Sequence, residues 1–89
     1  MHRVLSETIL IRTTSERDYK LTVRIVPIVP SLRGRNFAAS PRRLVSVYDG
    51  AAIPTFKLCE SYGITEEDAA RGCVEKVTQV LTEEERSKR

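Results

Sequence analysis

The fold is organised around residues 65–81, TEEDAARGCVEKVTQVL. Thr65 is a preferred residue for capping a helix start, and the three acidic residues that follow it lie where the helix dipole favours negative charge. At about 100° per residue, the apolar side chains share one stripe: Ala70, Cys73, Val74, Val77, Val80 and Leu81. The stretch therefore predicts an amphipathic helix that must lie on an apolar surface supplied by the rest of the chain.

Two runs of alternating apolar and polar residues predict the first part of that surface. The first run is residues 7–13 and the second is residues 19–26. The side chains that share the apolar face are Ile9 and Ile11 in the first run and Leu21, Val23 and Ile25 in the second. Because a short polar segment joins the two runs, we predict an antiparallel hairpin.

The middle of the chain is expected to leave and then rejoin the sheet. Pro27 and Pro30 should end or bend the second strand, because proline cannot donate to a strand ladder. Residues 31–43 contain a glycine, a proline and four arginines, which predicts a long irregular basic loop. Residues 44–48 alternate again and predict a third strand.

Residues 52–62 allow two interpretations. The dipeptide Asp49-Gly50 suits a tight two-residue hairpin turn, which favours a fourth strand over about 52–58, at the sheet edge because of Pro54. Alternatively, Pro54 begins a short helix that runs to Tyr62 and stops at Gly63. We favour the strand.

Together these elements predict one α+β domain over residues 1–89. Its antiparallel sheet has three to four strands, with one C-terminal amphipathic helix packed on one face, in ββββα or βββα order. Two ends are expected to fray: residues 1–6, which carry too little pattern to place, and residues 83–89, which are almost wholly charged or polar. Aromatic side chains dominate small cores, so we expect the following ones to cover the core rather than to stack on a ligand: Tyr19, Tyr48, Phe56 and Tyr62.

The order of three antiparallel strands and a C-terminal helix resembles that of double-stranded RNA-binding domains. In that family the last helix begins with lysines that hold phosphates, whereas this helix begins with Glu66, Glu67 and Asp68, and no helix precedes the first strand. Residues 58–65 are similar to the turn of a helix-turn-helix motif, but the following helix would begin with the same acids. We therefore assign neither family and do not expect the final helix to bind DNA.

Charge is divided unevenly along the chain, whose formal net charge is +3. Residues 1–57 contain ten Lys and Arg against four Asp and Glu, a net +6, whereas residues 58–89 contain five against eight, a net −3. The two parts either attract each other within the fold, or the basic part faces an anionic partner.

The basic residues suggest a binding surface. Guanidinium groups bind phosphate oxygens in pairs, and an aromatic ring can stack on a base. The candidate residues are Arg33, Arg35, Phe37, Arg42 and Arg43 in the predicted loop, with Lys20 and Arg24, extended by Arg12, on the polar faces of the strands. The leading hypothesis is thus a small module that contacts nucleic acid or another polyanion through a basic loop and a sheet face. The competing interpretation of the loop is a solvated segment whose arginines pair with the acidic helix.

A second hypothesis is a protein-interaction or homodimerising module with no nucleic-acid role. An edge strand or surplus apolar surface would meet the partner, through residues such as Leu10, Val26, Ile28 and Val29. Gly72, on the polar side of the helix, is either tolerated or marks the close approach of another backbone, as in a dimer.

Other function classes find little support in the sequence. The single histidine, His2, and the absence of a glycine-rich phosphate loop argue against an enzyme. Cys59 and Cys73 lack metal-site spacing, so we expect no metal or other cofactor and two buried, reduced thiols. Without a signal peptide or a long apolar run, a cytoplasmic location without membrane contact is expected.

Overall fold

The structure, a computed structural model, describes residues 5–13, 16–53 and 59–87. In chain order, its elements are β1 (Leu5–Arg12), β2 (Asp18–Leu32), β3 (Arg35–Ser46), β4 (Ala52–Ile53), β5 (Ser61–Gly63) and α1 (Glu66–Ser87). The strands form one antiparallel sheet in the order β1-β2-β3-β4, and β5 pairs with another part of β3. The predicted α+β fold, an antiparallel sheet followed by one C-terminal helix, is confirmed.

The β1–β2 hairpin forms as predicted. Its turn is closed by backbone hydrogen bonds from Thr13 N to Arg17 O at 3.0 Å and from Glu16 N to Thr13 O at 2.9 Å. The apolar side chains of the alternating pattern lie on the side that faces α1, where Ile11, Leu21, Val23 and Ile25 are buried. This inner face carries the core, as the alternation predicted.

The predicted long loop over residues 31–43 is wrong, because β2 and β3 form a second hairpin. Within residues 31–43, only Arg33 and Gly34 lie outside the strands. Both have positive φ, 50° for Arg33 and 77° for Gly34. The register jumps from the pair Pro27–Phe37 to the pair Leu32–Arg35, so four residues of β2 face one of β3. Prolines that cannot donate to the ladder are accommodated where the ladder is interrupted.

The ambiguous residues 52–62 are described at their two ends only, 52–53 and 59–62. Ser46 N donates to Ala51 O at 2.9 Å, so the turn that contains Asp49-Gly50 is longer than the predicted two residues. β4 is the start of the predicted fourth strand, whereas residues 54–58, including Pro54 and Phe56, lie outside the described residues. The helical alternative running to Tyr62 is wrong, because β5 pairs with residues 37–39 of β3.

The helix begins where the sequence predicts and continues further. Thr65 Oγ1 accepts a hydrogen bond from Asp68 N at 3.1 Å, and the buried side chains of α1 are Ala69, Ala70, Cys73, Val77 and Leu81. The prediction of frayed ends is wrong for residues 5–6, which pair with β2, and for residues 83–87, which are helical. The rest of the two predicted frayed ends lies outside the described residues.

Two glycines let α1 approach β5 closely. A Cβ on Gly63 would lie 2.5 Å from the Ala69 nitrogen, and one on Gly72 would overlap the Ser61 hydroxyl. Gly72 therefore marks a close approach, as one interpretation held, but the neighbour is a side chain of the same chain. As a result, α1 packs mainly against β3 and β5 and touches β1 less.

The core also contains the two cysteines, and both are free and buried, as predicted. Burial raises the pKa of Cys73 to about 11 and raises that of Cys59 as well. Of the aromatic side chains expected to cover the core, Tyr19 is buried, but Tyr48 and Tyr62 are 97% and 45% exposed, so the prediction is wrong for these two.

Candidate functional site

The side of the sheet opposite α1 carries most of the candidate residues. Its side chains alternate along the strands with the buried ones, and the Oγ1 atoms of Thr8 and Thr22 lie 3.4 Å apart across β1 and β2. We call this side the outer face. The strand registers place the following residues on it: Ser6, Thr8, Leu10 and Arg12 of β1; Lys20, Thr22, Arg24 and Val26 of β2; and Ala38, Ser40, Arg43 and Val45 of β3.

Three cations occupy successive cross-strand rows of the outer face. The rows are Leu10–Lys20–Val45, then Thr8–Thr22–Arg43, then Ser6–Arg24–Ser40. Lys20, Arg24 and Arg43 are exposed, and their row neighbours are hydroxyl or apolar side chains. Rows are about 7 Å apart along a strand and strands about 5 Å apart. The cations therefore form a compact positive patch with no carboxylate in its rows.

A β-bulge places a fourth cation beside this patch. The register of β3 moves from Arg43 opposite Thr22 to Pro41 opposite Val23, which leaves Arg42 as the extra, exposed residue. A register slip of one residue exchanges the two faces of a strand. The bulge therefore keeps the core side chains of β3 on the inner face on both sides of Arg42.

The end of the β2–β3 hairpin carries the other two arginines, and β5 places beside them an aromatic residue, Tyr62, which the sequence pattern assigns to the core. The Arg35 guanidinium lies over the ring of Tyr62, 5.0 Å from its centroid, and Arg33 is exposed in the turn itself. Tyr62 pairs with Ala38, which places it on the outer face. Its hydroxyl donates to Glu60 Oε1 at 2.8 Å, and this hydrogen bond raises the pKa of Tyr62.

Phe37 and Arg12 do not fit the predicted roles. Phe37 is half-buried and packs against the core, so the stacking role proposed for it does not match its place. Arg12 Nε donates to Asp18 Oδ1 at 2.8 Å, and this contact raises the pKa of Arg12 and lowers that of Asp18. Because its charge is balanced locally, Arg12 adds little to the patch.

Two of the alternative interpretations meet specific obstacles: ion pairing of the arginines with the acidic helix, and a continuous apolar patch for a protein partner. The sheet separates the outer-face arginines from α1, whose Arg71 pairs with Glu67 at 3.1 Å and with Asp68 at 3.9 Å. Leu10 and Val29 are 63% and 66% exposed, whereas Val26 and Ile28 are half-buried. The rows that contain Thr22 and Arg24 lie between Leu10 and Val26, so these apolar side chains do not form one continuous patch.

No protein-family model, curated protein or solved structure matches this chain. Among residues 5–13, 16–53 and 59–87, no three His, Cys, Asp or Glu side chains are grouped as a metal site requires. Within the same residues, no helix is long and apolar enough to cross a membrane.

Proposed function

We propose that this protein is a small binding module whose outer face holds the phosphate backbone of a nucleic acid. One observation carries the proposal: Lys20, Arg24 and Arg43 lie in successive rows of one open face, with Arg42 beside them. Lysine and arginine side chains that neutralise phosphates release condensed counterions, which favours binding. The serine and threonine hydroxyls of the same rows can contact phosphate and sugar oxygens.

The exposed aromatic ring at the end of this face favours a single-stranded ligand over a structureless polyanion. Bases of single strands stack on exposed aromatic and guanidinium planes. Tyr62 and Arg35 supply one of each, already in contact with one another. In this proposal a base stacks on Tyr62 rather than on Phe37, which packs against the core.

The proposal is for binding rather than catalysis, in the cytoplasm. It is supported by the burial of Cys59 and Cys73, which keeps both thiols away from any substrate. Free, buried thiols persist in reducing compartments.

The test is fluorescence anisotropy with a labelled oligouridine of about 12 nucleotides, titrated between about 50 and 200 mM salt. Affinity should fall steeply as salt rises. Each of the double variants Arg42→Ala/Arg43→Ala and Lys20→Ala/Arg24→Ala should reduce the slope of log K against log salt by about 1.4, because each removes two phosphate contacts.

The matched control is Arg71→Ala/Arg86→Ala, which removes the same charge from exposed positions of α1. Its slope should equal that of the wild type. Tyr62→Phe should bind normally, whereas Tyr62→Leu should bind about tenfold more weakly because it loses the stacking plane. Binding that is insensitive to salt, or equal slopes for all three double variants, would refute the proposal.

A further inference from the structure

The inner face is only partly covered, and the uncovered part forms a cleft. Because α1 lies mainly over β3 and β5, a space of about 620 Å³ remains between α1 and the first two strands. Its floor is apolar and is formed by Ile9, Ile25, Ala70 and Val74. Its walls carry four carboxylates, those of Glu7, Glu66, Glu67 and Glu75.

The cleft lies beside an open edge of the sheet. In the strand order of the described residues, β1 has a neighbour on one side only, which is β2. The other edge of an eight-residue strand presents backbone groups that a further strand can pair with. A strand added there would extend the inner face, and every second side chain would point into the cleft.

We propose that the β1 edge binds an extended segment of another protein whose inward-facing side chains are alternately basic and apolar. Among the described residues that line the cleft, the four glutamates face one cation, Arg71, which is already within 4 Å of both Glu67 and Asp68. The cleft therefore complements lysine or arginine side chains, and its floor complements small aliphatic ones. Backbone pairing supplies affinity, and the cleft selects the sequence.

A second copy of this chain is a poorer occupant of the same edge. If two β1 strands paired around a two-fold axis, both helices would lie on one face of the continuous sheet. Glu7 and Glu75 of both copies would then line one shared groove between the two helices. Like charges brought together in that groove repel one another. Charge thus favours a basic partner over self-association.

This surface is independent of the proposed nucleic-acid contact. The cleft lies on the inner face and the cations lie on the outer face, so both ligands can bind at once. A failure of either experiment leaves the other interpretation intact.

The probe is a labelled peptide of the same length as β1, eight residues, with the sequence acetyl-SKSVSKSV-amide. Its control peptide carries Glu in place of each Lys. In a titration followed by NMR, the amides of β1 should shift and become protected from hydrogen exchange. The variant Glu7→Gln/Glu75→Gln should bind about fivefold more weakly, as expected for the loss of two exposed charge pairs. The matched variant Glu83→Gln/Glu84→Gln changes two exposed glutamates of α1 outside the cleft and should bind normally.

Three results would overturn the proposal. The first is that excess peptide leaves the β1 amides unaffected, and the second is that the acidic peptide binds as well as the basic one. The third is that sedimentation shows a dimer in which the β1 amides are protected in the absence of peptide. The last result would assign the edge to a second copy.

Discussion

Thr13 and Glu85 lie 72 positions apart in the chain, and the Thr13 hydroxyl donates a hydrogen bond of 2.9 Å to Glu85 Oε1. The Tyr19 hydroxyl donates to the same oxygen at 3.4 Å. Thr13 follows β1 and Tyr19 lies near the start of β2, so the last turns of α1 are tied to the first hairpin. This contact explains why a helix whose C-terminal sequence is mostly charged continues to Ser87.

Removing the hydroxyl of Thr13 should destabilise the fold and fray the helix end. Thr13 is buried, and Thr13→Val would take a donor from a part-buried carboxylate, at a cost of about 1 to 3 kcal/mol in the free energy of unfolding. Urea unfolding measures the loss, and amide exchange should show faster opening after Leu81. The control Thr8→Val, at an exposed position of β1, should change stability by less than about 0.5 kcal/mol. Equal effects of the two variants would contradict this role of Thr13.

The two glycines at the contact between β5 and α1 should respond differently to alanine. In Gly63→Ala, the new Cβ would meet the Ala69 nitrogen at 2.5 Å and the Asp68 Cβ at 2.8 Å, and these atoms cannot rotate away. We expect a loss of about 1 to 3 kcal/mol or more. In Gly72→Ala, the nearest atom is the Ser61 hydroxyl, which can rotate, and alanine favours the helix by about 1 kcal/mol.

Gly72→Ala should therefore cost less than Gly63→Ala. Adding Ser61→Ala should recover part of the loss of Gly72→Ala, and a double-mutant cycle on urea unfolding measures that coupling. If Gly63→Ala were as stable as the wild type, α1 could not lie as close to β5 as the structure places it.

Stability should fall in alkaline solution because of Cys73. Burial raises its pKa from about 9 to about 11, so between these values the unfolded chain releases the thiol proton and the folded chain keeps it. The unfolded state then binds fewer protons, and the free energy of unfolding falls as pH rises. Burial of the protonated Cys73 thiol therefore contributes about 2 to 3 kcal/mol to the free energy of unfolding. This contribution is complete below pH 9 and is lost as pH rises through about 11.

Urea unfolding from pH 8 to pH 11 measures this loss. The variant Cys73→Ala should show a shallower decline, although Cys59 and Tyr19, whose pKa values burial also raises, contribute to both curves. Parallel curves for wild type and variant would show that Cys73 is not responsible.

Elements whose pattern lies within one short segment of the sequence were predicted correctly, and elements that depend on a distant partner strand were not. The β1–β2 hairpin and α1 were predictable because alternation and helical periodicity lie within single segments, such as residues 19–26. The β2–β3 hairpin was missed because its prolines interrupt the alternation, and only the partner strand shows that the interruptions are bulges. Tyr62 was misplaced because a strand of three residues is too short to show a period.

Local sequence patterns were sufficient to specify the first hairpin, the start and apolar stripe of α1, and the excess of positive charge in the N-terminal part. Three features depend on the packed fold: which arginines share a face, that Phe37 packs against the core, and that α1 leaves a cleft beside β1. The periods of strands and helices can be recognised from residues that are neighbours in the sequence. Registers, bulges and the position of a helix over a sheet depend on contacts between residues far apart in the chain, such as Gly72 and Ser61.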